Sequence, residues 1–239
     1  MGAALNPIER IVGGTFVINL AHRTDRWEQV QAELAKVGYE SYERLDAYGV
    51  QNLPPERYTS SISAFEMTGW FGNKFSHYRA IELAKERGWD AVMVFEDDVV
   101  LHPEFNTYVT EAIEQLASRQ WDWLQFGGNH KHFTGWMPRI SHVDGMPYLF
   151  VKEGLHPVTP RLARIDTMLT AHAYIVKSAV YDFILSHAIT SELSIDTFYA
   201  YEVHPRFRCY CVTPCVANQS PGVNDIGGCY SDYRDSIGD

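Results

Sequence analysis

Residues 91–98 constrain this chain more than any other stretch: the continuous apolar run Ala-Val-Met-Val-Phe is followed at once by Glu96-Asp97-Asp98. A short apolar run bounded by polar residues reads as a strand buried on both faces, and such strands lie in sheets covered by helices on either side. Ligands of open α/β sheets bind at the carboxyl ends of strands, so the acid triplet stands where chemistry is expected. Three adjacent carboxylates repel one another without a counter-charge. A divalent cation relieves that repulsion, and carboxylate oxygens suit Mg²⁺ or Mn²⁺, which in turn can hold a diphosphate. Along a strand extension Asp97 and Asp98 point to different sides, one towards a metal and the other towards a sugar or ribose hydroxyl. The competing reading is an acidic, solvated strand end.

The rest of the chain supplies the layers around that strand. Residues 15–20 (TFVINL) read as a strand, and Thr24 then caps a helix carrying Trp27, Val30, Leu34 and Val37 at helical spacing. A short strand at 42–45 is followed by a loop with Asn52, Pro54 and Pro55. Phe75, Tyr78 and Ile81 mark a helix over 72–85 that ends near Arg87-Gly88. Pro103 can open a helix through Tyr108, Ile113 and Leu116, and a strand at 121–126 closes on Gly127-Gly128. This βαβ rhythm predicts an α/β sheet. From 129 to 164 the rhythm dissolves into pieces rich in Pro, Gly, His and Arg, with one candidate strand at 148–152; such a stretch is usually functional or mobile. A strand at 170–176, a helix at 178–186 and a cysteine-bearing strand at 208–216 follow. Neither linker nor repeat divides the 239 residues, so a single domain is expected.

Composition narrows the function classes. With 46% hydrophobic residues the chain can bury a core, and 20 Lys+Arg against 30 Asp+Glu give a formal charge of −10 that disfavours a polyanionic partner unless a local basic groove intervenes. There is no apolar run of 18 residues and no basic-then-apolar leader at residues 1–10, so a chain without a membrane span, working in the cytoplasm, is expected. Cys209, Cys211, Cys215 and Cys229 crowd into the last stretch. The first three share strand parity but lack paired Cys-x-x-Cys units, which favours buried thiols over a zinc site.

The segments FVINLAHRTDRW, LDAYG, FGNKFSHYRAIELA and VMVFEDDVVL occur in an order and spacing that resembles glycosyltransferase family 25, the lipopolysaccharide and collagen glycosyltransferases. Asn19, Leu20, Arg23, Asp25 and Arg26 match its first group, Gly72, Ser76, His77 and Ala80 its helix start, and Glu96, Asp97 and Asp98 its acidic motif. Weaker matches continue at 171–179, at Asp196 and at 213–226, while Gly72-Asn73-Lys74-Phe75 stands where a Cys-containing segment is more usual. The resemblance implies a GT-A-like (Rossmann-like) mixed sheet flanked by helices and a nucleotide-sugar-dependent hexosyltransferase with a divalent metal, Mn²⁺ or Mg²⁺, at the acidic motif.

In that role Asn19 can bond a uracil-like base edge, Arg23 or Arg26 can pair with phosphate oxygens, and Asp25 can orient an arginine or a ribose. Ser76 and His77 either meet the donor or support the acidic strand, Glu96 and Asp97 belong to the donor side, and Asp98 is the metal ligand. Asp196, the family's isolated acid in this region, is the candidate general base, with Glu202 and His204 as competitors. Asn218, Gln219, Asn224 and Asp225 lie on a Gly/Pro-containing loop able to close over the donor. The implied reaction moves a sugar from a nucleotide-sugar, UDP-linked by preference, to an acceptor hydroxyl with inversion. The acceptor is a glycan such as a lipopolysaccharide sugar, a hydroxylated side chain or, with His130, Lys131, His132, Arg139, Arg161 and Arg164 as a basic groove, a hydroxymethylated base in viral DNA. A metal-dependent phosphohydrolase and a non-catalytic nucleotide-sugar-binding module are the other classes.

Overall fold

A computed structural model describes residues 6–49, 66–130, 154–223, 225 and 230–232. Eight strands form one mixed sheet in the order β2-β1-β3-β8-β5-β9-β7-β6. β1 (Gly14–Asn19) lies parallel to both β2 (Glu43–Asp46) and β3 (Ala91–Glu96). β8 (Ala173–Lys177) runs antiparallel between β3 and β5 (Trp123–Gln125), and β9 (Cys209–Val212) returns parallel to β5. The hairpin β6 (Leu155–Thr159) and β7 (Leu162–Ile165) closes the far edge.

Strand alternation sorts the core into two layers. Val17, Met93, Phe95, Leu124 and Ile175 face α1 (Thr24–Lys36) and α3 (Phe105–Leu116), which contribute Val30, Leu34, Phe105 and Val109. Phe16, Ile18, Val92, Val94, Trp123 and Tyr174 face the other way, onto α2 (Glu66–Glu86), α4 (Ser178–His187) and α5 (Ile195–Phe198). The run 91–95 is therefore enclosed from both sides, and all five residues are buried. The expected α/β layering, with helices flanking a mixed sheet, is what the chain builds.

Gly88 ends α2 as expected. Its φ of +68° belongs to the left-handed region, and its N–H bonds Lys85 O while Trp89 N–H reaches back to Ala84 O, satisfying carbonyls the helix would leave open. Two expectations are corrected at helix starts: Thr24 is the first helical residue, not the cap, because Arg23 takes that place with its N–H on Leu20 O, and α3 begins at Phe105, two residues after Pro103.

The stretch expected to lack regular structure is partly regular. Residues 155–165 form the β6–β7 hairpin, and Arg161, counted among its basic residues, pairs with Glu111 of α3 while its guanidinium lies 3.7 Å from the Tyr108 ring centre. The candidate strand at 148–152 and Lys131, His132 and Arg139 lie outside the described residues, as do Asn224 and Cys229.

Candidate functional site

The carboxyl ends of β1 and β3 lie side by side, with Ile18 in register with Glu96, and this brings residues 19–26 onto the acid triplet. Asn19 donates from Nδ2 to Asp97 Oδ2 at 2.6 Å and to Arg23 O at 3.2 Å. From the first turn of α1, Arg26 reaches Asp97 Oδ1 at 3.2 Å and Asp98 Oδ2 at 3.7 Å. Arg23 is clamped by Asp25 through two hydrogen bonds of 2.9 and 2.8 Å, and this pairing holds the Asp25 carboxyl well below the usual range. Leu20 is half-buried and supplies the carbonyl that caps the Arg23 N–H.

A second pair of strands completes the site. β4 (Val99–Leu101) follows the acids directly and pairs antiparallel with β10 (Ala217–Gln219), setting Gln219 opposite Val99. The Gln219 amide nitrogen then lies 3.3 Å from both Asp98 oxygens and 3.4 Å from Glu96 Oε2, and Ser220 N–H bonds Asp98 O at 2.7 Å. Beyond it, Arg26 donates to Val223 O, and Asp225 ion-pairs with Arg23 and stands 3.7 Å from Arg26. Asn218, Gln219 and Asp225 thus lie on a segment that crosses the acid motif.

The acid side chains keep 15, 10 and 16% exposure for Glu96, Asp97 and Asp98, enclosed yet reachable. Burial raises the Asp97 carboxyl against the opposing pull of Asn19 and Arg26. Asp98 is pushed up to about 7, by burial first and then by repulsion from Glu96. Burial would raise Glu96, but the hydrogen bond and charge of His77 and the hydrogen bond from Asn73 outweigh it and hold the carboxyl below its ordinary range. One guanidinium and one amide therefore leave Asp98 short of counter-charge. No group of three or more His, Cys, Asp or Glu side chains surrounds a common ion position among the described residues. Asp98 with Glu96 nonetheless suits a cation of the Mg²⁺ type, which takes one or two protein carboxylates and completes its shell with water and substrate phosphate.

Ser76 and His77 are fully enclosed and support the site from behind. Ser76 Oγ bonds Gly72 O and accepts from Tyr48 N, fixing the loop after β2. His77 Nε2 meets Glu96 Oε1 at 3.1 Å and its Nδ1 meets the Tyr174 hydroxyl at 2.9 Å, which continues to Tyr199. Asn73, absent from the expected set, donates to Glu96 Oε1 at 2.8 Å one helical turn from His77. Its signal in the sequence was its i, i+4 spacing to His77, which places both on one face.

Residues 19–26, 72–77 and 96–98 lie within the span matched by a family profile, whereas Gln219 and Asp225 lie beyond it. The profile described as glycosyltransferase family 25 (LPS biosynthesis protein) covers residues 13–198, well over half of the chain. The chain belongs to glycosyltransferase family 25. Over 151 residues it is 29% identical to inactive glycosyltransferase 25 family member 3 of Homo sapiens, a match covering 57% of this chain and 24% of that protein. The chain thus spans about a quarter of that relative's length. Among solved structures, a protein from STIV superposes with a TM-score of 0.47 at 11% identity, covering 87% of this chain and 85% of that one. A glycosyltransferase involved in the glycosylation of the major capsid of PBCV-1 gives 0.43 at 12% identity, with 83% and 79% coverage.

Elsewhere in this family 25 chain, Asp196 opens α5, where its Oδ1 accepts from Ser194 Oγ at 2.5 Å and from Thr197 N at 2.8 Å. It remains half-buried rather than enclosed. Its two competitors differ in kind: Glu202 pairs with Arg206 at 2.8 Å, whereas His204 is buried with no partner on either ring nitrogen, 5.6 Å from the Trp123 ring centre. Burial pushes His204 down to about 3, so it stays neutral and out of reach of a substrate proton. Cys209 and Cys211 are buried thiols and Cys215 is half-buried beside Cys211, without a disulfide among the three. No described helix is long and apolar enough to cross a membrane.

Proposed function

We propose that this family 25 chain transfers a sugar from a nucleotide-sugar, preferentially UDP-linked, to an acceptor hydroxyl with inversion, assisted by Mn²⁺ or Mg²⁺. The observation that carries the reading is the convergence of Asn19, Arg23 and Arg26 with Glu96-Asp97-Asp98 at the carboxyl ends of β1 and β3. Asn19 Oδ1 is buried without a partner among the described residues, an acceptor that a base or ribose donor group would satisfy if it reached the end of β1. Once Asp225 gives way, Arg23 would offer its Nη1 edge to a phosphate oxygen while Asp25 holds the rest of its guanidinium, and Arg26 would add its charge beside it. Asp98, with Glu96 beside it, would hold the cation, which when bound offsets charge on the diphosphate leaving group. Asp97 is held by Asn19 and Arg26 for a donor hydroxyl, and Asp196 takes the proton of the attacking hydroxyl. A glycan acceptor fits the net charge of −10 better than DNA does.

Calorimetric titration with UDP tests the donor side. Binding should strengthen with Mn²⁺ over excess chelator, and Asp98→Asn should abolish the difference while the protein stays folded, since removing a repelled carboxylate does not harm the empty protein. Equal affinity with metal and with chelator refutes the cation's part. Sugar transfer against plain phosphate release from a UDP-sugar separates the transferase from a phosphohydrolase.

A further inference from the structure

α2 carries an exposed indole at the rim of the site. Trp70 is 45% accessible, and it precedes Asn73 by three residues and Lys74 by four, so it shares their side of the helix one turn nearer the N-terminus. The helix reaches the sheet's carboxyl edge at Asn73 and His77, both of which contact Glu96, so Trp70 stands about 5 Å further out along the axis, beyond that edge. Its two helical neighbours reach in different directions. Asn73 bonds Glu96, whereas the buried Lys74 donates from Nζ to Ser191 O at 2.6 Å, in the turn that leads into Asp196. Trp70 thus stands one turn before the two residues through which α2 reaches the acid motif and the turn before Asp196.

The Asn73 amide adds a directional group. Its nitrogen is committed to Glu96, which fixes the flip of the amide, and its Oδ1 is left buried with no hydrogen-bond partner among the described residues. A pyranose ring presents an apolar C–H face and a rim of hydroxyls. An aromatic plane with a negative π face suits the first, and a fixed amide carbonyl suits the second.

We propose that Trp70 and Asn73 form a pyranose subsite for the acceptor, with the sugar's C–H face stacked on the Trp70 indole and one hydroxyl donating to Asn73 Oδ1. This rests on the donor lying at the acid motif and the base at Asp196, as proposed above. Saturation-transfer NMR with methyl β-D-galactopyranoside, methyl β-D-glucopyranoside and methyl α-D-mannopyranoside, each with UDP and Mn²⁺ present, tests it. At least one should bind saturably; Trp70→Phe should retain it, Trp70→Ala should weaken it about tenfold, and Asn73→Ala should weaken it several-fold. Absence of binding by all three, an effect of Trp70→Ala below about twofold, or displacement of the pyranoside by UDP overturns the subsite. Calorimetry on the same wild-type sample keeps the two readings apart: UDP bound without any pyranoside removes the subsite alone, whereas failure of UDP to bind removes the donor reading.

Discussion

His204 is enclosed beside Trp123 with neither ring nitrogen bonded, and its pKa of about 3 lies below that of an unfolded histidine, roughly 6.5. The unfolded chain therefore takes up a proton that the folded chain refuses. Stability from this group is complete above about pH 6.5 and falls as the pH drops towards 3, by up to ~1.4 kcal/mol per unit. Urea unfolding at pH 7.5 and 5.0 should show a loss that His204→Leu largely removes; equal losses in both proteins would refute it. Asp196 poses a different question, because its bonds to Ser194 and Thr197 suit an acid that only holds the start of α5 as well as one held as a base. As base, Asp196→Asn should lower single-turnover transfer by about 10²-fold or more with donor binding kept. As a structural acid alone it should leave turnover near normal in Asp196→Asn, while Asp196→Ala, which removes the acceptor oxygen, should cost roughly 1–3 kcal/mol of stability. At this scale the acids, Asn19 and the arginines were legible because they punctuate an apolar strand. Gln219 and Asp225 were legible only as polar residues on a loop, since their partners are more than a hundred residues away.

Two features of α2 decide how well the elements hold the site. Gly72 lets the helix touch the loop after β2: a Cβ there would come within 2.3 Å of Tyr48 O. Gly72→Ala should cost roughly 1–3 kcal/mol through this clash, read by chemical denaturation, even though alanine favours helix. Stability at or above wild type would mean that the loop simply gives way. Lys74, whose amine burial lowers to about 8, ties α2 to the turn before α5. Lys74→Met should therefore raise hydrogen exchange over residues 191–198 while the β3 amides keep their protection; uniform change would point to global destabilisation instead. Periodicity located β1, β3, α1 and α4 because each has a continuous apolar run or face, but it began α2 at residue 72 where the helix runs from Glu66, and it did not mark α5. It missed β6 and β7, an edge hairpin with Pro157 inside and a Pro160-Arg161 turn, where the residues fit a loop as well as a strand. It was also silent on the antiparallel course of β8, because an enclosed strand carries no mark of its direction.

Across the whole molecule, ligand binding and folding are coupled by mass action. UDP at about a hundred times its Kd with Mn²⁺ should add ~2.7 kcal/mol, raising Tm by roughly 5–11 °C for a chain of this size, and chelator should withdraw most of that gain. A rise unaffected by chelator would show that the arginines and Asn19 carry the nucleotide alone. The pairing of β4 with β10 has a consequence in time as well as in space. Gln219 is 121 residues downstream of the Asp98 it faces. A ribosome adding about 5–20 residues per second leaves this carboxylate without its amide partner for roughly 6–24 s. Throughout that interval the nascent sheet carries its negative pole uncovered, open to any cation or chaperone that reaches it first.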